Sequence, residues 1–201
     1  MSISRDQILD SAAQVFCQKG YHGASMADIA QAVGLQKATL YHHFKGKQEI
    51  LSELLDNALS LVTDNMTHVI QMDCPPEEKL HLAMRTYLQT LCEQSNLSSV
   101  LIMEYRSLDQ NLYNRHIRNR DRFEKMWRDL IQEGVGAGKF QCESIPMTVR
   151  ALLGVMNWTI NWYRPDGNLS AERIADQFAD LFMLGIGPRT HSSRKKTTRA
   201  G

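Results

Sequence analysis

Between residues 36 and 47 the chain offers Gln36, Lys37, Thr39, Tyr41, His42, Lys45 and Lys47 without a single acid. These side chains form hydrogen bonds and carry positive charge. That is the chemistry that holds phosphates and reads base edges, and a Gln amide pairs with adenine through two hydrogen bonds. Other reactive types are less well arranged. His42 and His43 are adjacent, so they point to different sides of a helix and form no i, i+4 metal pair. Cys17, Cys74, Cys92 and Cys142 contain no CxxC pair, which argues against a zinc site and a disulfide framework and for buried, reduced thiols. The glycine stretch 134–138 precedes Lys139, but Phe140 stands where a phosphate loop needs Ser or Thr, and Glu133 where it needs its first Gly. No Ser/His/Asp set follows from spacing. No catalytic residue, metal ligand or cofactor is assigned; the phosphate-loop reading is rejected, no enzyme is expected, and a helical enzyme stays as the remote alternative.

The elements that must position residues 36–47 read as helices. No segment sustains the period-2 alternation of a strand, whereas period 3.6 recurs. Ile8, Leu9, Ala12, Ala13 and Phe16 make one stripe, with Ser4 and Gln7 at capping-box spacing before it and Gly20 to end it. Ser25 and Asp28 repeat the start signal for a second helix, Met26 to Val33, which Gly34 stops. A third helix is expected over 36–43 and a long fourth after Gly46. Further helices are expected from Pro75/Pro76 to about 94, over 100–107, from 109 to about 134, over 145–163 and over 170–184. Stretch 134–138 reads as a hinge or turn and 164–167 as a turn. Three short helices followed by long ones divide the chain into an N-terminal unit (1–47), a larger helical bundle (48–187) and a basic disordered tail (188–201).

Two short helices joined by a Gly-containing turn are a helix-turn-helix. Ala30 is small where the helices cross, and Gly34 permits the positive φ of the turn. Ile29, Val33, Leu35 and Leu40 lock the pair together. The second helix then presents Gln36, Lys37, Thr39, Tyr41 and His42 to the major groove of double-stranded DNA and its walls.

Residues 5–55 closely resemble the TetR family of bacterial regulators, above all at Gly23-Ala24-Ser25, Asp28-Ile29-Ala30, Val33-Gly34 and Leu40-Tyr41-His42-His43-Phe44-Lys45-Gly46-Lys47. The resemblance implies an all-α fold, with a DNA-binding domain and a ligand-binding and dimerisation bundle. It implies a homodimer that represses transcription from a palindromic operator. It further implies phosphate contacts from Ser25, Lys45 and Lys47 and backbone or base contacts from Tyr41 and His42, with Gln36, Lys37 and Thr39 as base readers. Relatives often carry Ser or Thr at the position of Gln36. Gln caps a helix poorly, so Gln36 is expected either to exchange helix stability for base reading or to stand solvated.

The C-terminal part is less specific. Segment 152–163 is apolar around most of its circumference, as in a helix buried on more than one side, and the resemblance places a dimer seam on the last two helices. Trp158 and Trp162, four apart, would pack the core and seam or line a pocket. Met103, Arg106, Phe123 and Trp127 are the other expected effector contacts, because Met and aromatic side chains make adaptable apolar pockets. A pocket edged by Arg suits an amphipathic acid. Segments 157–167 and 169–172 resemble members that sense acyl-CoA thioesters. A constitutive DNA-binding regulator without ligand is the rival reading. No apolar run reaches the length of a membrane span, and Arg5, Asp6 and Gln7 interrupt any signal-peptide core, so a cytoplasmic protein is expected.

Overall fold

Ser4 opens the first helix as its spacing requires. Its Oγ accepts from the Gln7 N–H at 3.2 Å, and the Gln7 amide accepts from the Ser4 N–H at 2.9 Å. The computed structural model describes residues 3–187. Nine α-helices and two 3-10 turns make up the regular structure of those residues, with no strand among them. The helices are α1 (Arg5–Gly23), α2 (Met26–Val33), α3 (Lys37–His43), α4 (Lys47–Ile70), α5 (Pro76–Glu93), α6 (Ser95–Met103), α7 (Gln110–Gly136), α8 (Ile145–Trp158) and α9 (Ala171–Ile186). The basic segment 188–201 lies outside the described residues.

Several ends differ from expectation for identifiable reasons. Gly20, at φ 69°, kinks α1 rather than ending it, and the helix resumes to Gly23. Helix α6 begins at Ser95, five residues before the expected start, and Asn96 and Ser98 lie inside it. The break falls instead at Gln94 (φ −102°, ψ 46°), and the Ser98 N–H returns to the Gln94 carbonyl at 2.8 Å. Residues 105–107 form a separate 3-10 turn. Helix α7 runs into the expected hinge or turn as far as Gly136, and the turn falls at 137–138. Gly134 serves packing, since a Cβ there would lie 2.0 Å from the Phe140 ring, and Gly138 alone of this stretch takes a positive φ. Helix α8 ends at Trp158 and tightens into a 3-10 turn over 159–161.

Two apolar cores form. One unites Ile8, Phe16, Ile29, Leu40 and Phe44 with Ile50, Leu51, Leu54 and Leu55 of α4 and with Val100 and Leu108. The other joins Leu59, Val62, Met66 and Val69 of α4 to the inner faces of α5, α7, α8 and α9. The N-terminal core therefore reaches past residue 47. One helix, α4, carries side chains of both cores on successive turns.

Candidate functional site

Helix α3 is positioned by its neighbours. Gly34 takes the left-handed conformation (φ 75°), and the Leu35 N–H reaches back to the Ala30 carbonyl at 2.8 Å. That closes α2 and turns the chain into α3 within two residues. Arg5 anchors the other end. Its guanidinium donates to Glu53 (2.5 and 2.8 Å), to Glu49 (3.1 Å) and to the His43 carbonyl, and it lies 3.9 Å above the Phe44 ring. Gln36, Lys37, Tyr41 and His42 are exposed on α3, and Thr39 is half-buried. Gln36 occupies the N-cap position and makes no capping bond, so its amide is not tied to the helix end. Ser25 caps α2 and shares Asp28 with Lys19 (2.5 Å), contacts that hold the Asp28 carboxyl far below its ordinary range.

The two expected phosphate lysines are placed differently. The Lys45 side chain is exposed, and its N–H donates to Glu49 at 2.7 Å. The Lys47 ammonium donates to the carbonyls of Tyr21 (2.5 Å) and Ala24 (2.6 Å) and sits 4.3 Å from the Tyr21 ring centroid. It caps the negative end of α1, so its ammonium already has partners, unlike that of Lys45.

In the larger unit, α4, α5, α6, α7 and α8 enclose a cavity of about 310 Å³. Its wall is apolar at Leu59, Val62, Leu101, Ile102, Phe123 and Leu153, and polar at Tyr87, His116, Arg120, Arg150 and Asn157. The Tyr87 hydroxyl donates to Asn157 Oδ1 at 2.7 Å, and burial pushes that phenol up. Of the six expected contacts, Phe123 is on this wall. Trp127 is fully buried behind it, edge-on to Tyr87 and Phe123. Met103 and Arg106 face outward, the latter bonded to the Tyr105 hydroxyl at 3.1 Å. Trp158 and Trp162 are 65% and 45% exposed. These four do not line the cavity: the rotation that turns Leu101, Ile102, Leu153 and Asn157 inward turns Met103 and Trp158 out, and Arg106 and Trp162 lie in or after the 3-10 turns that follow α6 and α8.

A hydrogen-bonded clasp links this cavity to the helix-turn-helix. Tyr105 lines the wall, and its neighbours hold the end of α1 and the start of α4. Glu104 accepts from the Tyr21 N–H (3.2 Å), and the Ser107 hydroxyl meets His22 (3.3 Å). The Gln48 amide donates to the Ser107 carbonyl (2.7 Å) and accepts from the Asp109 N–H (3.0 Å).

The family model described as "Bacterial regulatory proteins, tetR family" matches residues 8–54, and "Tetracyclin repressor-like, C-terminal domain" matches residues 73–186. The chain belongs to the TetR family. Among TetR-family structures, the regulator PfmR from Thermus thermophilus is 35% identical, with a TM-score of 0.82 over 88% of this chain and 97% of its own. AibR, solved with isovaleryl coenzyme A and operator DNA, is 25% identical, with a TM-score of 0.81 over 88% of this chain and 96% of its own. The transcriptional repressor KstR2 of Mycolicibacterium smegmatis is 28% identical over 197 residues, 90% of each chain.

Within this TetR fold, the wall residues missing from the sequence reading are chiefly His116, Tyr87, Arg150 and Asn157, while Arg120 is one of several arginines that sequence places near the pocket. His116 and Arg120 stand seven and three residues before Phe123. The period that put Phe123 on the inner face of α7 also put them there. Tyr87 and Asn157 gave no such signal, because their pairing joins helices 70 residues apart. Among the described residues no cluster of His, Cys, Asp and Glu is arranged to hold a metal ion, and no helix is long and apolar enough to cross a membrane.

Proposed function

We propose that this chain is a cytoplasmic transcriptional repressor that binds an inverted-repeat operator as a dimer and leaves it when an acyl-CoA fills the cavity. The carrying observation is the cavity itself, walled by α4 and by the segment that clasps α1. A ligand there bears on the helix that joins both cores. It needs only to favour a spacing of the two recognition helices that mismatches adjacent grooves. A coupling of about 1–3 kcal/mol suffices for a large change in DNA affinity. The cavity favours this reading over a constitutive regulator, whose C-terminal core needs no such space.

The dimer reading is supported by apolar surface. Met147, Val155 and Trp158 on α8, and Leu181 and Leu184 on α9, are 39–85% exposed. Exposed apolar side chains on these two helices suit a partner surface, and the exposed Ala151 and Gly154 on α8 allow close approach. Exposed Trp158 belongs with this surface rather than with the pocket. The acyl-CoA class is supported by the apolar wall with Arg120 and Arg150 on it, and by AibR, whose structure contains isovaleryl coenzyme A.

The experiment is binding to the DNA upstream of the protein's own gene at fixed salt, with and without a panel of acyl-CoA thioesters. Specific binding abolished by one thioester is expected. Specific binding that no thioester disturbs, together with no thermal stabilisation by any of them, overturns the effector class.

A further inference from the structure

His116 is 2% exposed, and neither of its ring nitrogens meets a protein hydrogen-bond partner. A buried polar group left unmet is costly and rare. The other such groups have local accounts. Asp176 Oδ1 lies 3.8 Å from His81, and the second oxygen of Glu77 holds Lys139 at 2.9 Å. Trp127 is sealed beside a void of about 10 Å³. His116 alone of these groups stands on the wall of the large cavity. Its ring lies against Tyr105 at 5.8 Å between centroids, with 30° between the planes. Apolar packing would be served equally by a phenyl ring at this place.

Burial, and then the nearby Arg120 and Arg115, push the imidazole down to about 4. It is therefore neutral at neutral pH, with one N–H to donate and one nitrogen to accept. A neutral donor in an apolar wall suits an uncharged oxygen. The wall arginines, Arg120 and Arg150, suit the anionic part of the same molecule, since the cavity's carboxylate, Glu124, is engaged by Arg128 at 3.1 Å. The space is equivalent to about ten waters at roughly 30 Å³ each, enough for a short or branched acyl group.

We propose that His116 is the specificity-determining residue of the cavity, donating a hydrogen bond to the thioester carbonyl of the effector. The assignment rests on the effector reading above and selects thioesters against apolar ligands that lack the carbonyl oxygen. A site built to hydrogen-bond one group rejects the analogue without it.

The test uses two ligand pairs, isovaleryl-CoA with its S-isopentyl thioether and octanoyl-CoA with S-octyl-CoA. In each thioether a methylene replaces the carbonyl. Calorimetric titration of the wild-type dimer should favour at least one thioester over its thioether by about tenfold. The His116→Phe protein should bind both members of that pair alike, at the wild-type thioether affinity, and should melt no lower than wild type without ligand. Equal wild-type affinity for thioester and thioether overturns the assignment while leaving the effector class intact, and that arm requires no variant. A preference retained in His116→Phe, or a lowered melting temperature of the unliganded variant, makes His116 a packing residue and also overturns it. Failure of all four compounds to bind wild type removes the effector class and this assignment together.

Discussion

In the N-terminal unit Arg5 gathers Glu49, Glu53 and the His43 carbonyl, Lys19 and Ser25 converge on Asp28, and Lys47 holds two carbonyls of the α1 end. The larger unit carries ion pairs too, among them Lys79–Glu133 and Arg128–Glu124, and differs in what it leaves unmet. All buried side-chain polar atoms without a partner among the described residues belong to Glu77, His116, Trp127 and Asp176. The smaller unit has to hold α3 at one angle to present it to a groove, so its polar groups are tied to one another. The larger unit keeps a cavity with an unmet imidazole on its wall. The two patterns meet along α4, which supplies side chains to both cores.

The broadest way to break this division is to ask whether the units unfold apart. Phe44 is 1% exposed in one core and Trp127 fully buried in the other. Truncation of either to Ala should cost about 3–5 kcal/mol. Because α4 supplies Leu54 to one core and Leu59 to the other, scanning calorimetry of Phe44→Ala should show one endotherm at lower temperature. A separate early endotherm would show that the cores are independent and that α4 transmits little.

Next in size is the polar asymmetry. Arg5→Met leaves Glu49 and Glu53 without their cation and should cost about 1–2 kcal/mol in urea denaturation, discounted because Arg5 is 41% exposed at its side chain. His116→Phe should cost nothing. The two also differ with pH. Glu49 is held below the usual carboxylate range, first by the Lys45 N–H and also by Arg5. Its contribution is present at neutral pH and lost as pH falls through that lowered value. His116 is depressed as well, to about 4. The unfolded chain takes up that proton first, so wild type loses stability as pH falls from about 6.5 toward 4. His116→Phe should lack that slope, and an unchanged slope would mean that the imidazole is solvated.

Gln36→Ala sharpens the same comparison inside α3. No capping bond is lost, so the melting temperature should hold. On a panel of operator variants, discrimination at one base pair should relax by about 1–3 kcal/mol. Unchanged preference at every position would make Gln36 a solvated side chain.

The N-terminal unit was legible in the sequence because its signals are local. Ser4/Gln7, Ser25/Asp28 and Gly34 each act within three or four residues, and all three behave as their spacing requires. The start of α6 was missed because Asn and Ser at 96–99 read as a break, while the packing of Leu97 and Val100 onto the N-terminal core outweighs that preference. The cavity was half legible. Aromatic type named Phe123 on α7, but which of many aromatic residues turn outward depends on the rotation of α8, and that is set by packing across the whole bundle. Trp158 and Trp162 look like core from composition and are surface in the single chain.

The smallest effect is also the most discriminating. Lys45 and Lys47 belong to the same basic patch, two residues apart, and sequence treats them alike. Their ammonium groups are not alike, since Lys47 is bound to the Tyr21 and Ala24 carbonyls and Lys45 is exposed. Lys45→Gln should weaken operator binding several-fold. It should also lower the slope of log affinity against log salt by about 0.9 per protomer, the signature of one lost phosphate contact, and leave the melting temperature unchanged. Lys47→Gln should do the reverse, lowering the melting temperature through the freed carbonyls of α1 and leaving the salt slope in place. Equal salt slopes for the two variants would return Lys47 to the phosphates and show that its bonds to α1 exchange for DNA when the complex forms.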